Sequence, residues 1–523
     1  MSDKHFDVVV LGRSIGAMTL AALLARRDFS VLVVGHGQRP ATYQFQNHAL
    51  RRRAFVPLAA TSPAFKRVMS ELAQSQVFRR RLAVMDPMLT VMMPGRRFEM
   101  APDLELFQRE IDREFPEVRR VIDELYVELT RVNALADTAF DQDIVWPPGT
   151  FWERREAHAA APSLPYIKPG ARPFLCDFPA NHGWAEVVLQ SALFASNLAH
   201  GARPHPSFSL ARLHGLWSRG PFGISGSEDD ITDFLAERVT SLGGQVLFQD
   251  RVVGLDPSDR GTHRLMVDGM QSVVGATFVV TDDTGESIAA LSHGAGLDRS
   301  ARRHWPVVTH KAARFTMSVV VNKAGLPASL GAETLIFPRV PGAPPDPHSP
   351  IIHLQRTDRT IPNDEPTPAT DTALLVAEIL MPTPGTLAIS EARGVMLDIL
   401  RTHLPFLDRH LVVADSTHDG LPVWVWRDGK RTNVDRMETR NTLRGPEPMV
   451  PLLSVEPPGS MGLAGEPVRG PIDRTFLVGR SVLPSLGQEG EILAACSVAK
   501  LITKSDRRRA RMRRDMWSRI EFG

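Results

Sequence analysis

The stretch from Phe6 to Val34 reads FDVVVLGRSIGAMTLAALLARRDFSVLVV. It begins with a short, mostly β-branched run, which is typical of a strand buried on both faces of a parallel sheet. A turn containing Gly12 and Gly16 follows, then a helical pattern over residues 17–27 and a second apolar run over residues 31–34. Strand, glycine turn, helix and strand within about 30 residues predict a right-handed βαβ unit.

The glycine turn lies where dinucleotide-binding proteins hold a pyrophosphate, because the following helix directs free N–H groups at the phosphates. The G-x-G-x-x-G pattern is incomplete, since Ser14 replaces its second glycine. The second strand ends at Gly35, where an acid would bind the adenosine ribose, and residues 31–70 contain no acid. Losing such a charge-assisted hydrogen bond costs about 1.5–3 kcal/mol. Two interpretations stay open: a dinucleotide site, or a βαβ unit that only resembles one.

The composition excludes several classes of protein. The 523 residues allow two or three domains, and the net charge of +2 is too balanced to indicate a nucleic-acid partner. Two cysteines, Cys176 and Cys496, cannot form a disulfide framework or a cysteine-rich metal site. The N-terminus lacks the pattern of a signal peptide, and no apolar run approaches the roughly 18 residues that span a bilayer. We therefore expect a cytoplasmic protein.

The rest of the chain alternates between two patterns. Residues 44–160 have long stretches of helical period without strand alternation, which predicts an inserted, mainly helical segment. Another helix is predicted over residues 231–242, ended by the left-handed cap Gly243-Gly244. Further strands are predicted at 245–248, 251–255, 277–281, 316–321, 374–379, 411–414 and 475–478, and a closing helix at about 491–503.

Three later segments follow the βαβ unit in a set order. They are Pro221-Phe-Gly-Ile-Ser-Gly226 before a helix, Arg251-Val-Val-Gly-Leu255 in a strand, and Phe476-Leu-Val-Gly-Arg480 with Pro484-Ser-Leu-Gly487-Gln-Glu-Gly490 at the close. In this order the chain resembles, over nearly its whole length, the phytoene desaturase and retinol saturase branch of the FAD-dependent amine-oxidase-like superfamily. The resemblance implies an α/β fold, in which a discontinuous flavin-type Rossmann domain carries an inserted α+β substrate or cap domain. The implied boundaries are 1–50, 205–300 and 455–523 for the Rossmann domain, with 51–204 and 301–454 for the cap domain.

The resemblance also implies FAD as the cofactor. It places the backbone of Val252 beside the adenine, and it lets Gly487 and Gly490 bring backbone close to the isoalloxazine ring. The helix beginning near Glu491 would stabilise negative charge on the reduced flavin through its dipole. The candidate cofactor-binding residues are Gly12, Arg13, Ser14, Gly16, Val252, Gly479, Arg480, Pro484, Gly487 and Gly490.

Arg480 departs from that family, which usually has an acid after the glycine of the final strand. Together with Ser14 and Gly35, it weakens the end of the site that would hold ADP. One hypothesis is that Arg13 and Arg480 bind the pyrophosphate bidentately. The other is that flavin has been lost, and that the chain is a pseudoenzyme serving as a binding or scaffold protein.

The function that the resemblance implies is an FAD-dependent oxidoreductase that desaturates, saturates or isomerises a hydrophobic isoprenoid or polyene substrate. No catalytic residue is assigned, because the sequence contains no metallohydrolase, α/β-hydrolase or P-loop motif, and no metal site is expected. Trp184, with Phe174 and Phe178 nearby, would line an apolar tunnel or, more commonly for such residues, pack a core. The basic run Arg507–Arg514 indicates either peripheral contact with anionic lipid or a solvated tail.

Overall fold

The computed structural model describes residues 4–161, 164–167, 171–199, 205–224, 226–257, 261–268, 273–359, 371–457, 463 and 465–505. The strands among them are β1 Lys4–Leu11, β2 Val31–Val34, β3 Thr42–Phe45, β4 His48–Arg51, β5 Leu82–Val84, β6 Leu89–Met93, β7 Arg96–Met100, β8 Phe222–Ile224, β9 Gln245–Leu247, β10 Arg251–Pro257, β11 His263–Asp268, β12 Val274–Thr281, β13 Val307–Asn322, β14 Glu333–Ile336, β15 Ile352–Arg356, β16 Thr372–Pro382, β17 Leu411–Asp415, β18 Val423–Arg427, β19 Lys430–Val434, β20 Val450–Glu456 and β21 Thr475–Leu477. The α-helices are α1 Ile15–Arg26, α2 Pro63–Glu71, α3 Ser75–Arg79, α4 Leu104–Glu114, α5 Arg119–Asp141, α6 Phe151–Ala160, α7 Gly183–Ala195, α8 Ser207–Ser218, α9 Glu228–Ser241, α10 Gly285–Leu291, α11 Arg299–His304, α12 Ile389–His403 and α13 Gly487–Ser505.

Seven of the described strands form the first sheet, which runs in the order β10-β11-β12-β1-β2-β9 with β21 beside β12. Strand β1 pairs in parallel with β2 and β12, and its last four residues are buried. Helix α1 connects β1 to β2 and packs against α9 and α13. The predicted βαβ unit is therefore confirmed, and its apolar strands are explained by helices that cover the sheet.

Ten of the described strands form the second sheet, in the order β19-β18-β17-β13-β16-β15-β14-β6-β7 with β20 beside β13. The 16-residue strand β13 is the central strand of this sheet, since it pairs with β16, β17 and β20. Helix α12 packs against this sheet through an apolar face that includes Met396 and Leu400. The architecture is a Rossmann-type sheet joined to a second, antiparallel-rich domain, as the fold class predicted.

The segment 44–160 is only partly as predicted. Its helices are confirmed by α4 and α5, but the expectation that it holds no strand is wrong, because β3 ends inside it and β4 to β7 lie within it. Strand β6 pairs in parallel with β14, more than 200 residues further along the chain. Its sequence, LTVMM, is buried throughout and shows no alternation. A strand that is buried on both faces has no period-2 pattern to reveal it.

Helix α9 begins at Glu228, three residues before the predicted start. Ser227 and Asp230 form a capping box there, so each satisfies a backbone N–H of the other. The helix ends before Gly243, whose φ of +87° confirms the predicted left-handed cap.

The aromatic side chains around Trp184 belong to the protein core. Trp184 is fully buried, and its ring meets that of Phe98 edge-on with centroids 4.9 Å apart. Phe174 and Phe178 are also buried. Core packing, the commoner of the two roles considered, is therefore confirmed.

No helix in the described part of the chain is both long and apolar enough to cross a membrane. The basic run 507–514 lies outside the described residues, so its contact with lipid stays a prediction.

Candidate functional site

The glycine turn lies at the carboxyl end of β1, as the motif predicts, and leads into α1. Gly12 has a φ of +121°, a conformation that favours glycine. Ser14 is the N-cap of α1, and its Oγ accepts a hydrogen bond from the N–H of Ala17 at 3.2 Å. Serine in place of the second glycine therefore stabilises the start of the helix.

A carboxylate of the protein itself occupies the turn. Asp282 follows β12, and its Oδ2 accepts a hydrogen bond from the N–H of Ser14 at 2.8 Å. Its other oxygen accepts one from Nε2 of Gln38 at 2.6 Å, while Oε1 of Gln38 accepts one from the N–H of Arg13 at 2.9 Å. A Cβ added to Gly12 would lie 2.0 Å from Oδ1 of Asp282. Gly12 is thus required by the close packing of Asp282, whose pKa is raised by burial.

A second carboxylate lies on the same helix terminus. The side chain of Glu491 accepts a hydrogen bond from the N–H of Gly16, and a Cβ on Gly16 would lie 3.2 Å from that of Glu491. Burial raises the pKa of Glu491 to about 7; Arg480 opposes this shift, whereas Glu228 and Asp282 add to it. Two internal acids therefore take N–H groups at the start of α1, where the helix dipole favours negative charge.

The two arginines considered for pyrophosphate binding have different surroundings. Nη2 of Arg13 lies 3.1 Å from Asp229 and 3.3 Å from Asp233, both on α9, and its guanidinium stacks 4.5 Å from the ring centre of Phe248. Nε of Arg480 lies 3.8 Å from the Glu491 carboxylate, beyond hydrogen-bond distance. Arg13 is thus directed towards α9, and Arg480 towards the space between the domains.

The adenosine end of the site is closed by backbone packing. A Cβ at Gly35 would lie 2.1 Å from the carbonyl oxygen of Phe248, so an acidic residue at this position requires the backbone to move. Val252 is fully buried on β10, the edge strand of the sheet, and pairs with Val267 of β11.

The glycines of the closing segment also lie against protein backbone. A Cβ on Gly487, whose φ is +55°, would lie 2.1 Å from the carbonyl oxygen of Ala195. The same added atom on Gly490 would lie 2.3 Å from the carbonyl oxygen of Leu483, and on Gly479 it would lie 1.7 Å from that of Asp282. These close approaches explain the glycines without a flavin ring beside them.

Helix α13 begins at Gly487, just after a 3₁₀ turn that starts at Pro484. The predicted start near Glu491 is therefore four residues late. Glu491 lies past the first turn, and its side chain reaches α1. Sequence periodicity could not locate this boundary, because glycines at 487 and 490 weaken the helical pattern.

A cavity of about 80 Å³ lies between the Rossmann-type sheet and the second domain. Its apolar wall includes Phe55, Phe194 and Trp217. The charged side chains that line it are Arg53, Arg314, Arg480, Glu228, Glu378, Glu491 and His353.

Several of these charges form a buried network on the cap side. Nε2 of His353 lies 2.7 Å from the Glu333 carboxylate, and its Nδ1 lies 3.9 Å from Glu378. Burial lowers the pKa of His353, but its hydrogen bond to Glu333 and its charge interactions with both glutamates outweigh this and raise it to about 9. Glu378 keeps a lowered pKa, with His353 and Arg314 compensating for its burial. The cavity therefore holds ionised groups well away from solvent.

Sequence reasoning missed most of these residues. Asp282 had a usable signal, because an acid directly after a buried parallel strand lies at the same sheet edge as the glycine turn. The sequence also held a signal for Glu491. Arg480 stands where the resemblance leads us to expect an acid, and a basic residue there calls for a compensating acid nearby. His353 and Arg314 had none, as their partners are distant in sequence.

No protein-family model matches this chain, and no curated protein sequence is significantly similar to it. Solved structures do match. An oxidoreductase from Methanosarcina mazei is 14% identical with a TM-score of 0.55, over 94% of this chain and 99% of that one. A double mutant of putrescine oxidase, made to redesign cofactor binding, is 13% identical with a TM-score of 0.54, over 95% and 99%. Cyclohexylamine oxidase from Brevibacterium oxydans IH-35A is 15% identical with a TM-score of 0.51, over 96% and 99%.

The chain shares the fold of these oxidoreductase and oxidase structures. This agrees with the predicted superfamily at the level of fold, and it makes the start of α1 the place to test for a cofactor. Bound FAD would bring the two negative charges of its pyrophosphate to this helix terminus. There, Asp282 and Glu491 already accept hydrogen bonds from the N–H groups of Ser14 and Gly16. The residues present do not fit the pyrophosphate of FAD.

Proposed function

We propose that this chain is a flavin-free descendant of the flavoenzyme fold and binds a small molecule in the cavity between its two domains. The observation that carries the proposal is the pair of carboxylates, Asp282 and Glu491, hydrogen-bonded to the first N–H groups of α1. These side chains occupy N–H groups that the phosphates of a dinucleotide take in related folds, and Glu491 adds a negative charge there above its raised pKa of about 7.

The electrostatic cost of adding a dinucleotide follows from these positions. Above about pH 7, where Glu491 is ionised, a phosphate charge about 4 Å from its carboxylate is repelled by about 4 kcal/mol at an effective dielectric constant of about 20. That is about three decades of affinity. No acid compensates at Gly35, where an added Cβ would meet the carbonyl oxygen of Phe248. Binding of FAD would thus lose a favourable contact and gain an unfavourable one.

The visible absorption spectrum of the purified chain tests this proposal. We expect no flavin bands after purification, and none after incubation with FAD and desalting, while circular dichroism shows a cooperative unfolding transition. Retention of about one FAD per folded chain would overturn the proposal.

A double variant, Asp282→Asn with Glu491→Gln, tests whether these two carboxylates are what prevents FAD from binding. It removes both charges and keeps the shape of both side chains, so we expect it to bind FAD more tightly than the unaltered chain. Glu237→Gln, on the exposed side of α9, is the matched control and leaves the result unchanged. Equal FAD binding by all three proteins would show that the two carboxylates are not the barrier.

A second candidate is an FAD-dependent oxidoreductase that acts on a hydrophobic isoprenoid or polyene. It is favoured by the likeness to oxidases over at least 94% of the chain and by the aromatic side chains in the cavity wall. A yellow protein that consumes an added polyene, followed by the absorbance of the polyene itself, would establish it. A yellow protein that leaves every polyene unchanged would exclude this substrate class.

We also propose that the basic run 507–514 brings the chain to anionic lipid, because each basic residue near such a surface contributes about 1 kcal/mol. Co-sedimentation with phosphatidylserine vesicles should be lost when residues 505–523 are deleted. Unchanged co-sedimentation would refute it.

A further inference from the structure

We infer that the cavity between the domains recognises the carboxylate of a small organic acid through Arg314 and Arg480, with the apolar body of the acid against Phe194 and Trp217. The inference names a ligand class for the proposed binding function and rests on it. Both arginines line the cavity.

Arg314 is a buried cation with unused hydrogen-bonding capacity. It lies on β13 and is 8% exposed. Its Nη2 donates hydrogen bonds to the carbonyl oxygens of Phe194, at 3.0 Å, and Ser196. Its Nε is buried and has no hydrogen-bond partner among the described residues. Because an unsatisfied buried donor is costly, this guanidinium is poised to accept an anionic partner.

Arg480 provides the second donor from the opposite domain. It follows β21, and its side chain is one quarter exposed. The distance of 3.8 Å from its Nε to Glu491 permits an ion pair without a hydrogen bond. A carboxylate between Arg480 and Arg314 would receive charge-assisted hydrogen bonds from both domains.

The glutamates of the cavity, in contrast, are already hydrogen-bonded. Glu378 accepts hydrogen bonds from the N–H of Ala54 at 2.8 Å and from the hydroxyl of Thr316 at 3.2 Å. Glu228 is paired with Arg53, and Glu491 accepts from a backbone N–H of α1. The groups of the cavity lining that can still form hydrogen bonds are therefore donors, and donors favour an anionic ligand over an amine.

The charge balance points the same way. Three arginines and His353, whose pKa is raised to about 9 by Glu333 and Glu378 against its burial, face three glutamates in the lining. Burial, together with repulsion by Arg480 and by a third arginine, lowers the pKa of Arg314 to about 10, against the opposing effect of Glu378. A bound anion would relieve this repulsion between the cations.

The size and walls of the cavity limit the acid that fits. The cavity volume of about 80 Å³ is below the range of pockets for drug-sized ligands, so only a small acid fits. Phe55, Phe194 and Trp217 offer aromatic surface beside the charges. An acid with a compact apolar or aromatic body meets both requirements, whereas inorganic phosphate leaves the apolar wall uncovered.

Isothermal titration of the full chain tests the inference with three carboxylates: phenylacetate, hydrocinnamate and octanoate. Each is compared with its neutral amide, which has the same body without the charge. We expect saturable 1:1 binding of at least one acid, and binding of its amide weaker by about tenfold or more. Inorganic phosphate is included to separate anion binding alone from recognition of the apolar body.

The variants Arg480→Met and Arg314→Lys should each weaken binding of the acid by about tenfold or more, without weakening that of the amide. Arg120→Met is the matched control, since Arg120 lies on the exposed side of α5, and it should bind like the unaltered chain. Arg480→Met keeps the test valid if Arg314→Lys does not fold, because Arg480 is partly exposed.

Three results would overturn the inference: no binding of any acid up to about 10 mM, equal binding of acid and amide, or phosphate binding as tightly as the acids. Retention of FAD in the absorption spectrum is a separate result. It would refute the flavin-free proposal, while the titration would still decide whether the two arginines recognise a carboxylate.

Discussion

Replacing Glu491 with glutamine removes an acid that the fold buries against the start of α1. The side chain is 6% exposed, and Glu228 and Asp282 reinforce the effect of burial, so its pKa rises from 4.5 to about 7 despite Arg480. At about 1.4 kcal/mol for each pKa unit, ionising it in the folded chain costs about 3 kcal/mol more than in the unfolded chain. Glutamine keeps the size of the side chain and an oxygen that can accept from Gly16.

The direction of the pH dependence follows from the raised pKa. The folded chain holds the proton of Glu491 up to about pH 7, whereas the unfolded chain releases it near pH 4.5. The stability that this proton contributes is fully present below pH 4.5 and is lost as the pH rises through 7. Between pH 5.5 and 8.5 the loss is about 2 kcal/mol, and Glu491→Gln does not undergo it.

Urea unfolding of the unaltered chain, Glu491→Gln and the exposed control Glu237→Gln at both pH values measures this difference. We expect the free energy of unfolding of Glu491→Gln to rise by about 2 kcal/mol relative to the other two proteins when the pH increases from 5.5 to 8.5. The same pH dependence in all three proteins would refute the assignment of a buried, protonatable carboxyl at position 491.

Three further substitutions test other contacts. Arg212 is fully buried, and its Nε donates a hydrogen bond to the carboxylate of Glu489 on α13 at 2.7 Å. Arg212→Met should therefore lower the free energy of unfolding, measured in urea, by about 3–5 kcal/mol. A loss below about 1 kcal/mol would contradict this. Gly487→Ala places a Cβ 2.1 Å from the carbonyl oxygen of Ala195 at a φ of +55°, so its melting temperature should fall, and an unchanged value would argue against this packing. The melting temperature of Gly35→Ala should also fall, because its Cβ would lie 2.1 Å from the carbonyl oxygen of Phe248. Gly394→Ala on α12 is its control, because a Cβ there meets open space, and its melting temperature should be unchanged or higher.

The parts of the fold that could be predicted are those with a local cause. Residues 6–34 contain an apolar strand, a glycine turn and an apolar helix, and each of these depends on neighbours in sequence. The cap of α9 at Gly243 is of the same kind, since only glycine adopts its φ of +87° without strain. Strand β6 could not be predicted in this way, because its pairing with β14 joins residues more than 200 positions apart.

The candidate site shows the same division. The motif at Gly12 located the turn correctly at the end of β1, and the departures at Gly35 and Arg480 predict weaker dinucleotide binding. The carboxylates that lie at this turn come from distant parts of the sequence. Asp282 reaches the turn only because β12 is the neighbour of β1, and Glu491 only because α13 packs on α1.

The sequence by itself determined the βαβ unit, the order of its later segments and the erosion of a dinucleotide motif, because backbone conformation and strand burial depend on nearby residues. Only the tertiary structure decided which charges meet at the start of α1 and which donors in the cavity are left unsatisfied. Burial makes such charges costly unless they are paired, and both burial and pairing arise from segments that the folded chain brings together across hundreds of residues.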